Sequence, residues 1–201
     1  LKFEQIGKII SDDMPATVAI HEGRVVEPLG IFYNKKYNLV LLHAITASSG
    51  MEWKLSEIVI SLSKQLKIKE VLCLEGVGSS DGIATSRVFY YSNNDKNKNK
   101  FKKIKVELLK EGIIIGVTGA VLLRAEKIPV SCIFAETHTN LPDSKAAAKV
   151  IEVLDKYLGL NVNYKPLLVQ AEKFEGKLKN LLTESQKTQQ LSEKKKLSYV
   201  G

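Results

Sequence analysis

Between residues 39 and 159, short continuous apolar runs alternate with segments of helical periodicity, and few folds accommodate that pattern. A run that is apolar at every position has no polar face to turn to water, so it reads as a strand covered on both sides. Helices crossing from one such strand to the next supply the cover. The runs are Leu39-Val40-Leu41-Leu42, Val71-Leu72-Cys73-Leu74, Ile113-Ile114-Ile115 and Val130-Ser131-Cys132-Ile133-Phe134, and they predict four strands of one shared, mainly parallel sheet. The expected class is α/β.

Between the first two runs, Leu55, Ile58, Val59, Leu62 and Leu66 fall three or four residues apart, as one face of a helix requires. Ser49 and Glu52 have the spacing of a capping box at its start. Ala147, Val150, Ile151, Leu154 and Leu158 repeat the stripe, with Pro142-Asp143 as cap and Gly159 as stop. Residues 119–127 predict a shorter crossover helix, and Val88-Phe89-Tyr90-Tyr91 a further strand. Ser92-Asn93-Asn94-Asp95-Lys96-Asn97 is a cluster of turn formers, so residues 92–103 are expected to form an exposed loop.

Upstream, Thr17-Val18-Ala19-Ile20-His21-Glu22 alternates, and Gly23 separates it from Val25 and Val26, as in a hairpin; Ile31-Phe32-Tyr33 adds a strand. Downstream, Leu168, Ala171, Phe174, Leu178, Leu181 and Leu182 predict a last helix. The organisation expected is one domain over residues 1–183, followed by a polar, lysine-rich tail over residues 184–201 that is mobile unless a partner holds it.

Several function classes are argued against. No apolar stretch approaches the roughly 20 residues of a membrane span, and no secretory signal opens the chain. Cys73 and Cys132 each sit inside an apolar run, which suits reduced core thiols and a cytoplasmic protein rather than a disulfide or metal framework. The net charge of +8 raises nucleic acid as a partner, but only Arg24, Arg87 and Arg124 of the 30 basic residues are arginine. The lysines gather in residues 96–110 and 187–196 among Asn, Gln, Ser and Glu, as on a solvated surface, so nucleic acid is not the expected partner.

Two segments carry chemistry. Gly76-Val77-Gly78-Ser79-Ser80-Asp81-Gly82 follows a predicted strand, where glycines can turn backbone N–H groups toward an anion; Asp81 stands where a dinucleotide fingerprint has its third glycine. A tight turn at the sheet edge explains the same glycines. Glu136, Thr137, His138, Pro142 and Asp143 leave the last strand at the edge where open α/β sheets place ligands. An acid, an imidazole and a second acid there suit general acid and base work, while capping by Asp143 and hydrogen bonding within the loop explain them without it. His21 and His43 stand alone and read as structural, and no serine or cysteine has the setting of a nucleophile.

Glu111-Gly112-Ile113-Ile114-Ile115-Gly116-Val117-Thr118-Gly119-Ala120-Val121-Leu122-Leu123, then Ile128-Pro129-Val130, Glu136-Thr137-His138, Pro142-Asp143-Ser144-Lys145-Ala146-Ala147-Ala148 and Leu154, resembles in order the proteasome assembly chaperone family. The likeness reaches upstream to Glu22-Gly23-Arg24 and Leu74-Glu75-Gly76-Val77-Gly78. The resemblance implies a three-layer αβα sandwich of phosphorylase- or hydrolase-like fold without catalytic residues, no cofactor and no metal. It implies a homo-oligomer that binds the α subunits of the proteasome core particle. It gives Gly76, Gly78, Asp81, Gly119, Glu136, Thr137, His138, Pro142 and Asp143 as family-motif positions, structural or ligand-binding.

Some family members end in a hydrophobic residue, tyrosine and any residue, a motif that inserts between α subunits. Here Leu197, Tyr199 and Val200 are the corresponding tail residues, with Tyr199 third from the end rather than penultimate. Members usually begin with an apolar strand and a glycine-rich turn into a helix, whereas this chain opens at Leu1-Lys2-Phe3-Glu4, as if inside or after that helix. The expected function is a non-catalytic proteasome-associated chaperone or adaptor. The alternative is a phosphorylase- or hydrolase-like enzyme using Asp81, Glu136, His138 or Asp143 on a nucleoside or phosphate.

Overall fold

The computed structural model describes residues 1–13, 18–21, 23–44, 50–78, 87–137 and 143–165, with positions 168, 169, 173 and 176. In chain order the elements are β1 (Glu4–Lys8), β2 (Ala19–His21), β3 (Arg24–Val26), β4 (Leu29–Asn34), β5 (Leu39–Ala44), α1 (Glu52–Gln65) and β6 (Val71–Gly78). There follow β7 (Val88–Ser92), α2 (Asp95–Lys103), β8 (Glu107–Leu108), α3 (Val117–Arg124), β9 (Val130–Thr137) and α4 (Ser144–Leu158). The α/β class read from the sequence is the class observed. The predicted last helix and the tail fall largely or wholly outside the described residues.

The strands form a sheet in the order β6-β9-β7-β8, an antiparallel sheet in the order β1-β4-β5, and the β2-β3 hairpin. In the first, β9 is buried at every position but its last, as a run apolar throughout demands. Its neighbour β6 runs alongside it in the same direction: Val71 donates its N–H to the carbonyl of Pro129, just before β9, and Thr137 at the other end donates to the carbonyl of Val77. This is the parallel pair that a crossover pattern produces. On the other side β7 runs the opposite way, since Asn93 at its end donates to Val130 and Glu136 donates to Arg87 at its start.

Chain contacts divide the molecule into two compact units, one of residues 1–73, 90–103 and 108–132, the other of residues 74–89, 104–107 and 133–201. In the first, α1 packs on α3, and Leu29, Met51 and Leu55 form a core with Ile9, Ile58 and Val117 against it. The buried face of α1 is Leu55, Ser56, Ile60 and Ser63, turned from the predicted stripe so that Leu66 is exposed. Ser56 and Ser63 enter that face because each hydroxyl donates to a carbonyl of its own helix, Trp53 and Val59, and leaves no unsatisfied donor. The capping box does not form as spaced. Met51 is the N-cap, without a side-chain bond, and Glu52 accepts instead from the backbone N–H of Gly50; Ser49 lies outside the described residues.

Two of the four predicted parallel strands behave differently. Residues 39–42 belong to β5, which pairs antiparallel with β4 and is partly exposed rather than covered on both faces. Tyr37 and Asn38 supply the reason: a short turn with Asn38 at φ 51° returns the chain directly beside β4, and a direct return makes an antiparallel pair. Ile113-Ile114-Ile115 is not a strand; Ile113 and Ile115 are 89% and 79% exposed. Gly116, at φ 93°, begins α3 at once, leaving too few residues to cross a sheet. The opening segment is likewise β1, hydrogen-bonded to β4, and not helical.

The expected loop over residues 92–103 is mostly helix. Asn94 accepts from the N–H of Asn97 at the start of α2, and Phe101, fully buried, stacks on the buried ring of Tyr90 at 4.6 Å and 9°. Just before it, the Asn93 side chain donates to the carbonyls of Ala125 and Ile128 and accepts from the N–H of Val130. Ser131 donates to Glu70 at 2.5 Å and lies 2.9 Å from the Ser92 hydroxyl, which is itself 3.2 Å from the Val130 carbonyl. The polar residues that suggest a solvated turn are thus spent on satisfying buried backbone.

In the second unit, α4 follows its sequence signals closely. Asp143 is the N-cap and accepts from the N–H of Ala146 at 2.9 Å, and Gly159 closes the helix at φ 66°, ψ 41°, the left-handed conformation that glycine adopts without strain. Ser144, Ala146, Val150, Val153 and Tyr157 are buried, a face one position removed from the predicted one, so that Ala147 is exposed.

Candidate functional site

Five of the sequence-predicted residues, Gly76, Gly78, Glu136, Thr137 and Asp143, fall in the second unit, at the ends of β6 and β9 and the start of α4. Asp81, His138 and Pro142 lie outside the described residues, as do Leu197, Tyr199 and Val200. Gly119 belongs to α3 in the first unit.

Glu136 sits next to last in β9, and its side chain is only 7% exposed. A carboxylate removed from water needs a cation and hydrogen bonds to replace its hydration. Arg87, the residue ahead of β7, supplies both. Its guanidinium donates through Nη2 to Oε1 at 2.7 Å and through Nε to Oε2 at 2.9 Å, while its backbone N–H donates to Oε2 at 3.1 Å. The return bond runs from the Glu136 N–H to the Arg87 carbonyl at 3.0 Å. Two-pronged, charge-assisted contact of this kind is the strongest pairing the two side chains form. Arg87 also lies over Phe89, 5.5 Å from the ring centre. The sequence names Arg87 only as one of three arginines; its place directly before an apolar run is the signal that it guards a strand end.

Both carboxylate oxygens of Glu136 therefore face donors, an arrangement that positions the edge of β9. A general base needs an oxygen directed at a substrate proton, and the described geometry directs both at Arg87. Thr137 next to it donates to the Val77 carbonyl at 3.3 Å. Gly76 and Gly78 belong to β6 itself rather than to a turn beyond it. A Cβ on Gly76 would stand 2.9 Å from Thr137 Cγ2, so this glycine lets the two strands lie close. The part of the turn beyond Gly78 is outside the described residues. Among the described residues no three of His, Cys, Asp and Glu gather as a metal site would require, and no helix is long and apolar enough to cross a membrane.

Gly119 is explained by contact rather than ligand geometry. A Cβ there would meet the Ile114 carbonyl oxygen at 2.7 Å, so the glycine lets residues 112–116 close over the first turn of α3. Gly119→Ala is expected to lower unfolding free energy by about 1–3 kcal/mol, since backbone rather than a flexible side chain must move; urea unfolding would measure it. His43 is next to last in β5 and packs edge-on against Phe32, ring centres 6.4 Å apart, the environment of a structural histidine. Cys132 is buried and Cys73 half-buried.

With this geometry in view, comparison with known proteins is informative. The family model described as the PAC2 family matches residues 1–182. An uncharacterized protein of Methanocaldococcus jannaschii is 26% identical over 202 residues, covering 100% of this chain and 83% of its own. The crystal structure of Pyrococcus furiosus PbaA, described as an archaeal homolog of proteasome-assembly chaperone, superposes with a TM-score of 0.79 at 29% identity, over 89% of this chain and 80% of its own. Pyrococcus furiosus PbaB, described as an archaeal proteasome activator, shares the fold at a TM-score of 0.71 and 16% identity, over 89% and 82%. A match that spans nearly the whole described chain, reinforced by the PbaA fold, leads to one conclusion: this chain belongs to the PAC2 family, the family of the proteasome assembly chaperones.

Proposed function

We propose that the chain is a non-catalytic chaperone or adaptor that binds the α subunits of a proteasome core particle, acting in the cytoplasm as a homo-oligomer. The observation that carries this reading is the likeness to PbaA along most of the chain, at 29% identity and a TM-score of 0.79. The Arg87 and Glu136 pairing supports it from the side of chemistry, because the buried Glu136 carboxylate at the predicted ligand edge is spent on a cation within the fold. The proposed contact is the tail, with Leu197, Tyr199 and Val200 entering a pocket on the partner.

The test is a pull-down of purified core particles with the full chain and with a form lacking residues 192–201. Capture by the full chain at micromolar concentration and its loss in the shortened form are expected. Absence of capture by a folded full chain would overturn the chaperone reading, and undiminished capture by the shortened form would overturn the tail as the contact. A thermal-shift panel of nucleosides, nucleotides and phosphate addresses the enzymatic alternative. A ligand present at about 100 times its Kd adds roughly 2.7 kcal/mol to stability, so an unshifted transition across the panel is the expected result.

A further inference from the structure

Four large apolar side chains of the first unit lie open to solvent around the packed pair α1 and α3. Ile113 and Ile115 are 89% and 79% exposed, Leu123 is 73% exposed and Trp53 52%. The fold brings them onto one surface. Residues 112–116 close over the first turn of α3, where a Cβ on Gly119 would meet the Ile114 carbonyl oxygen, and Leu123 stands one turn beyond Gly119 on the same face of that helix. Arg124, next in sequence, lies over the Trp53 ring at 5.3 Å from its centre, which brings the start of α1 beside the end of α3. Apolar side chains exposed singly need no explanation, but a contiguous set marks an interaction site. Four of this size fall in the range of the largest apolar patch on an ordinary monomer, about 300–600 Å², a large part of the ~800 Å² that each partner gives to a standard interface.

We propose that the face formed by Trp53, Ile113, Ile115 and Leu123 is where a second copy of this chain docks. Charge selects that occupant. Within three positions of these four residues along the chain stand Glu52, Glu111 and Glu126 and Lys54, Lys110 and Arg124, three acids against three bases. The chain as a whole carries a net charge of +8, so most of its surface repels a copy, whereas this neutral surround does not and offers carboxylates to the copy's lysines. The same three acids oppose nucleic acid and anionic lipid. Trp53 and Arg124 are the residue types that anchor protein contacts, and Arg124 meets Glu57 only at 3.8 Å, which leaves the guanidinium able to donate across an interface. The inference rests on the homo-oligomer in the proposed function and gives it a contact face; it does not involve the tail.

The test is sedimentation of the full chain together with its intrinsic fluorescence, since Trp53 is the single tryptophan of the sequence. On dilution the mass should fall toward that of one chain, and the Trp53 emission should move to longer wavelength over the same concentration range. Ile113→Asp should weaken self-association at least tenfold, as loss of a central apolar contact does. Leu123→Asp, on a different element, should do the same and keeps the test readable if one variant folds poorly. Ile20→Asp, on the β2-β3 hairpin and equally exposed, should leave the assembly intact. A full chain that sediments as one copy throughout would overturn both the homo-oligomer and this face. An assembly unchanged by Ile113→Asp and Leu123→Asp would overturn the face alone. Loss of core-particle capture in those variants, with their mass unchanged, would assign the face to the proteasome and overturn the second copy as its occupant.

Discussion

Phe101→Ala is expected to destabilise the protein by about 3–5 kcal/mol, the usual range for truncating a fully buried aromatic residue. Phe101 is 0% exposed and its ring lies 4.6 Å from that of Tyr90, itself 1% exposed. Truncation removes the buried surface, leaves a cavity and breaks an aromatic pair worth about 0.5–1.5 kcal/mol beyond its area. The Tyr90 hydroxyl has no hydrogen-bond partner among the described residues, so Tyr90 is held by packing, which the substitution removes. Urea unfolding would give the loss, with a fall in helical ellipticity as α2 frays. Phe101→Leu should cost clearly less, because it refills most of the volume. A loss under 1 kcal/mol for the alanine variant would show that α2 is not part of the core.

Arg87→Ala is expected to cost about 3 kcal/mol at neutral pH, toward the lower end of the range for breaking a buried pair because the arginine side chain is 45% exposed. The charge left behind is the reason. Without Arg87, burial disfavours ionised Glu136 and raises its pKa above that of the unfolded chain. A raised carboxyl pKa means the folded state binds the extra proton, so the variant's deficit should narrow as pH falls from 7 toward 5. Adding Glu136→Gln to Arg87→Ala should recover part of the loss by removing the buried charge. Unfolding curves at the two pH values, with the double variant as control, decide the matter; a pH-independent deficit would mean that lost packing and not the stranded carboxylate sets the cost.

How far the sequence disclosed this molecule depends on whether a signal was local. Asp143 and Gly159 mark the ends of α4 because capping is decided within a turn, and β9 reads as a central strand because every residue in its apolar run is buried. The triple isoleucine at 113–115 has the same composition as a buried strand, yet glycines on either side and the immediate start of α3 leave Ile113 and Ile115 exposed. Composition cannot register that, since it carries no length constraint from the next element. Helix α2 was hidden by its lysines and asparagines, although Asn97 and Phe101 stand four apart and Asn94 is placed to cap. Arg87 was hidden for a different reason: its partner Glu136 is 49 residues away, and only the pairing of β7 with β9 joins them.

The three hydrogen bonds of the Asn93 side chain to Ala125, Ile128 and Val130 have a consequence for how relatives of this chain can diverge. They pin the end of β7 to the beginning of β9, so the intervening residues leave and return at a fixed point. Lengthening an excursion between fixed ends adds only about 0.6 kcal/mol for each doubling of its length. Residues 110–113, exposed between β8 and α3, are therefore a place where lineages can insert sequence cheaply while the strand carrying Glu136 keeps its position.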